Sequence, residues 1–137
     1  MKKFVFYLFV IVVGLAIGCG PNVSLRGKVT FADGTPLETG MVIVANDNVL
    51  SRGEIQPNGS YVIGSLSKKD GIPKGEYQVY ITGAAKVIGT KPNGDPIRES
   101  LIERKFTRPD ESGLTIKLEK STVFDIQVTK PAKQEIL

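Results

Sequence analysis

The chain has no histidine and no tryptophan, and a single cysteine, Cys19, among its 137 residues. Without imidazole there is no Ser-His-Asp or Cys-His catalytic set, and no zinc site that depends on histidine ligands. Without indole, the strongest aromatic platform for stacking a sugar ring is missing. One cysteine cannot form an intramolecular disulfide, so the fold must stand on apolar packing. Long like-charge runs are also lacking: none exceeds two residues, as at Lys68-Lys69. The formal charge is +4. Lys2 and Lys3 sit in an N-terminal leader, and setting them aside leaves 16 basic against 14 acidic residues, or +2. Nothing in that balance points to a nucleic-acid partner.

What is present begins with that leader. Lys2-Lys3, an apolar run from Phe4 to Ile17, and small residues up to Cys19 have the anatomy of a secretory signal. The apolar run is shorter than a membrane-spanning helix requires. Three readings stay open: lipidation at Cys19 with cleavage before it, ordinary cleavage leaving a free thiol, and an uncleaved helix continuing to Gly20. Removing residues 1–18 leaves 119 residues, enough to bury roughly two thirds of the unfolded surface in one core. Gly20-Pro21-Asn22 is then a tether of only about 10–15 Å. The expected divisions are a leader over 1–18, a lipidated tether over 19–23, a β domain over 24–129 and a flexible tail over 130–137.

From Val23 the hydrophobic period becomes two. Val23, Leu25, Val29 and Phe31 alternate with polar residues, and Met41 to Ala45 is a short β-branched run suited to a central strand. Val49–Ile55 and Ser60–Ser65 read as strands around the Pro57-Asn58-Gly59 turn. Tyr77, Val79 and Ile81 form the clearest alternation, with Tyr80 on the opposite, wet face. Leu114–Leu118 and Phe124–Val128 close the series, and Leu101–Phe106 reads as a short strand or turn. The spacing predicts an all-β fold, an antiparallel β-sandwich of seven or eight strands preceded by an N-terminal signal helix.

Four segments resemble a known family. Gly27-Lys28-Val29-Thr30 with Asp33-Gly34-Thr35-Pro36-Leu37 and Gly40 resembles the opening of the carboxypeptidase-regulatory-like, or transthyretin-like, domain. Pro57-Asn58-Gly59-Ser60-Tyr61 and Gly71-Ile72-Pro73-Lys74-Gly75-Glu76-Tyr77-Gln78-Val79 are similar to its later turn-and-strand signatures. Phe106 through Ser112-Gly113-Leu114-Thr115 resembles a late segment of small bacterial lipoproteins carrying it. Leu15-Ala16-Ile17-Gly18-Cys19 resembles a lipobox, with the difference that leucine stands four places before the cysteine rather than three. The resemblance implies acyl chains of the palmitate type on Cys19, a bacterial cell-envelope location on the periplasmic face or outer membrane, and an accessory rather than catalytic domain.

Candidate sites beyond Cys19 are few. Asp33, Asp47, Asp70, Asp95 and Asp110 fall in expected turns, where aspartate bonds its own backbone. They show no D-x-D-x-D spacing, so no metal and no cofactor is expected. Ser112-Gly113 has no base and reads as a turn, and Asp110-Glu111 are neighbours in a loop rather than an opposed acid and base. The 84–100 stretch lacks a clear pattern and carries Lys86, Lys91 and Arg98 against Asp95 and Glu99, with Asn93-Gly94 suited to closing a small edge hairpin. The expected function is a lipid-anchored, non-enzymatic envelope module that is structural or binds a protein partner. The alternative is capture of a glycan or small molecule by the 84–100 loop, which a deep pocket there would favour and a closed, convex end would disfavour.

Overall fold

The computed structural model describes residues 22–64 and 70–137. The leader with its expected helix, Cys19, the first tether residues and the 65–69 connection lie outside the described residues. The strands, in order, are β1 Asn22–Val23, β2 Leu25–Phe31, β3 Met41–Ala45, β4 Leu50–Glu54, β5 Ser60–Ile63 and β6 Ile72–Pro73. They continue as β7 Gly75–Thr82, β8 Ala85–Thr90, β9 Pro96–Ser100, β10 Leu114–Leu118, β11 Thr122–Val123 and β12 Ile126–Val128. A 3-10 turn at Arg104–Thr107 occupies the segment read as strand or turn. No helix among the described residues is long and apolar enough to cross a membrane.

Two sheets make a β-sandwich, as the alternation predicts. The first is antiparallel, in the order β10-β7-β3-β4. Its inward side chains include Val42, Val44, Tyr77, Val79, Ile81 and Leu118, all buried. The second is built around β2. On one edge β2 pairs antiparallel with β5, and on the other it meets β11 and then β12, both parallel to it. Leu25, Val29, Tyr61, Ile63, Ile126 and Val128 face the first sheet and complete one core cluster with Leu37, Ile55, Ile72, Ile102 and Phe106. The parallel pairing departs from the purely antiparallel expectation, and connectivity explains it. β10 runs antiparallel to β7 and ends at Leu118, opposite Gly75. The chain then crosses to the second sheet at the end where β2 begins, so it can only run alongside β2 in the same direction.

Close backbone approaches at glycine act within the second sheet and between the two sheets. A Cβ at Gly27 would lie 2.0 Å from the Phe124 carbonyl oxygen, so only glycine fits there. The space is shared with Tyr61, whose buried hydroxyl donates a hydrogen bond to that same oxygen. Asp125 then accepts a bond of 3.0 Å from the Lys28 amide, replacing a ladder bond where the edge strand breaks between β11 and β12. At Gly53, a Cβ would sit 2.2 Å from the Val62 carbonyl oxygen. There β4 of the first sheet leans onto β5 of the second, and Gly64 N–H donates to Arg52 at 3.3 Å.

The sandwich has two unlike poles. β1, β6, the Asn46–Asn48 turn and the start of β7 lie at one, where Asn22 pairs with Pro73. β7 then runs eight residues, roughly 25 Å at about 3.3 Å per residue, to Thr82 at the other. Asn22 and Val23, the first described residues after Cys19, are therefore at the pole opposite the 84–100 segment.

Candidate functional site

At that second pole the 84–100 stretch is a β-hairpin, with β8 and β9 in antiparallel register from Ala85↔Ser100 to Thr90↔Pro96. A bulge between Val87 and Gly89 shifts the register and twists the edge. Asn93-Gly94 turns the chain, as its sequence suggests. Gly94 takes a positive φ of 91°, Lys91 N–H donates to Asp95 O at 2.7 Å, and Asn93 Nδ2 donates to the Asp95 carboxylate at 2.7 Å. The base of the hairpin is tied into the core. Ala84 is buried, its carbonyl accepts from Leu101 N–H at 2.9 Å, and Ser100 Oγ donates to Ile102 O at 2.8 Å. Beyond that base both faces are wet, and Val87 and Ile88 are 62% and 42% exposed.

The segment read as a flexible tail does not hang free. Residues 135–137 run antiparallel along β9: Ser100 N–H donates to Glu135 O and Leu137 N–H donates to Arg98 O, both at 2.9 Å. The sequence there is polar and proline-led, with no apolar period, but main-chain pairing needs none. Thr129 Oγ1 also donates to the Glu103 carboxylate, tying the start of the segment to the loop after the hairpin.

Between the hairpin base, the Phe31–Glu38 turn and residues 130–134 lies an open groove of about 530 Å³. Lys86 is ion-paired to Glu99 at 3.1 Å on one wall. Lys130 stands over the Phe31 ring, 5.1 Å from its centroid, on another, with Lys133 and Glu38 nearby. Asp33, just outside, accepts from the Thr35 hydroxyl at 2.7 Å and amide at 3.0 Å. Those bonds, the hydroxyl's first, hold its carboxyl below the usual carboxylate range. The groove thus offers three ammonium groups, two carboxylates and one aromatic face. It can hold an anionic or polar ligand, and it brings together no nucleophile with a base.

The remaining sequence candidates lie elsewhere. Tyr80 is on the outer face of the first sheet, paired with Ile43 and half-buried, away from the groove. Ser112 is buried, donates to Val79 O at 2.6 Å and accepts from Leu114 N–H at 3.2 Å, a structural tie beside Gly113 with its φ of 68°. Asp47 and Glu76 border a second concavity of about 480 Å³ at the opposite pole. Among the described residues, no group of three acidic or other ligating side chains converges as a metal site. Sequence reading missed Phe31, Lys130 and Lys133 as neighbours of Lys86 and Glu99. They come from segments thirty or more residues away from the hairpin, and no local pattern marks them.

No family model matches the chain, and no curated protein matches it. Among solved structures it is similar to a DUF3823 family protein from Bacteroides ovatus ATCC 8483, at 20% identity and a TM-score of 0.46. That likeness covers 80% of this chain and 45% of the other, so the chain spans less than half the length of that protein.

Proposed function

We propose that this chain is a lipid-anchored, non-catalytic module of a bacterial cell envelope, built on a transthyretin-like sandwich, that presents its hairpin pole to a protein partner. One observation carries the reading: the strand that begins three residues after Cys19 lies at one pole, while the hairpin, the groove and the exposed Val87 and Ile88 lie at the other. A domain held close to a bilayer by so short a tether turns its opposite pole outward. Two or more acyl chains on Cys19 would make the anchor effectively permanent, where one myristoyl chain binds only at about 10⁴ M⁻¹. Mass spectrometry of the protein purified from its native membrane tests the anchor. The expected N-terminus is an acylated Cys19, and an unacylated cysteine or an intact leader refutes it. A photo-crosslinking residue at Val87, compared with one at Leu50 on the other pole, tests the partner. Discrete adducts are expected from position 87 and not from position 50.

The groove favours a second reading, capture of a small anionic ligand. Lys130 and Lys133 have no carboxylate within ion-pair distance among the described residues. Titration with an acidic oligosaccharide such as digalacturonate, against neutral maltose, would show saturable shifts at Lys86 and Phe31 for the acid alone. Equal response to both, or none, removes this reading.

A further inference from the structure

We infer that the outer edge of β9 is a strand-acceptor site, for which residues 135–137 are an exchangeable resident and an extended segment of a partner protein, with one acidic and one aromatic side chain, is the exchanging occupant. This deepens the partner-binding reading and rests on it. Three observations carry it. The resident is held by two main-chain bonds, Ser100 N–H to Glu135 O and Leu137 N–H to Arg98 O. Its apolar side chains contribute little, since Ile136 and Leu137 remain 54% and 67% exposed. All three resident residues, with Ser100, Arg104 and Thr107, line a concavity of about 460 Å³ that their side chains border rather than fill.

The pairing register says what would fit better. Glu99 lies opposite Ile136, so Leu137 shares a face with Arg98, and Glu135 shares that face with Ser100. An incoming strand keeps the main-chain bonds whatever its sequence, and gains affinity from the side chains it places on that face. The fitting partner segment is extended, carries an acidic residue at the Glu135 position where Arg104 lines the cavity, and places a bulky aromatic residue at the Leu137 position.

The test uses the whole chain carrying Leu137→Pro, which removes one donor from the resident, and a fluorescent peptide of residues 131–137 as probe. The expected result is saturable anisotropy binding to L137P at least ten-fold tighter than to the unchanged chain. A peptide with Phe in place of Leu137 should bind several-fold tighter still, and one N-methylated at that residue should not bind. No binding to L137P, equal binding to both chains, or binding of the N-methylated peptide overturns the proposal. A dimer of L137P that the peptide dissolves would make a second copy the occupant, and would overturn the assignment to a partner. Should L137P fail to fold, the amide resonances of Arg98, Glu99 and Ser100 in the unchanged chain read the same exchange under excess Phe peptide, and unmoved resonances refute it. Failure here with intact crosslinking from Val87 removes strand exchange alone. Loss of both removes the partner-binding reading.

Discussion

The sandwich and the hairpin pole are both β-structure, but they are held by different forces. In the sandwich, Val42 and Val44 of β3 and Tyr77, Val79 and Ile81 of β7 are buried, and Gly27 and Gly53 let backbone touch backbone. In β8, β9 and residues 135–137, side chains beyond the base are mostly exposed, and the structure is kept by main-chain bonds, one asparagine–aspartate turn and one ion pair. A buried side chain contributes on the order of 1.5–3 kcal/mol by leaving water, whereas an exposed ion pair contributes about 0–1 kcal/mol. The lesson is about freedom. Residues of the sandwich are committed to stability, while those of the hairpin pole can be chosen for what they contact.

The sharpest way to break that contrast is Gly27→Val. The new Cβ would meet the Phe124 carbonyl and the Tyr61 hydroxyl. We expect a loss of about 3 kcal/mol or more, or failure to fold, read as the urea midpoint. A variant as stable as the parent would mean that the edge strand is not seated where the structure puts it.

Tyr61→Phe comes next. It leaves the Phe124 carbonyl without its donor, and the expected cost is about 1–3 kcal/mol. It also carries a pH signature. Burial first, and the Asp125 charge second, push the Tyr61 hydroxyl's pKa above the ordinary tyrosine value of about 10. The unfolded chain therefore ionises before the folded one, so the contribution is complete below pH 10 and is lost as pH rises beyond it. Stability of the parent should fall through this alkaline range, and Y61F should flatten part of that fall. Tyr77, whose pKa is also raised by burial, keeps the rest. An unchanged alkaline slope in Y61F would show that Tyr61 is not the group responsible.

Hydrogen exchange separates the two regions without mutation. Amides of β3 and β7 should exchange only through global unfolding, and those of Ser100 and Leu137 orders of magnitude faster. Equal protection would erase the distinction. The smallest effects belong to Val87→Ser, Ile88→Ser and Lys86→Ala, each expected within about 0.5 kcal/mol of the parent by the same urea measurement. A cost above 1 kcal/mol at any of them would place that residue in the core.

What could be read in advance follows the same division. Tyr77, Val79 and Ile81 announced their strand because one wet and one dry face impose a period of two. Lys86-Val87-Ile88 announced nothing, because a strand wet on both faces has no reason to alternate. Only its turn, Asn93-Gly94, carried a local signal. Residues 135–137 were illegible for a related reason, since main-chain pairing leaves no mark on side-chain choice. The Gly27–Phe124 contact joins positions 97 residues apart, and a glycine between Arg26 and Lys28 looks like any other. The groove was hidden in the same way: Phe31, Lys86 and Lys130 become neighbours only after the sheets close.

The parallel seat of β12 beside β2 has a further consequence, in time rather than in space. Apart from β5, the second sheet takes its segments from both ends of the domain, so one edge of β2 waits through nearly a hundred residues for its neighbour. Contacts of such sequence separation slow folding into the millisecond-to-second range. A chain emerging gradually, from a ribosome or through a channel, can assemble β3, β4 and β7 as they appear, but it cannot shut its last seam until residue 128 is out. Until then β2 offers an open edge to any strand nearby. The moment at which the folding chain is most open to wrong pairing is thus set by its order of strands.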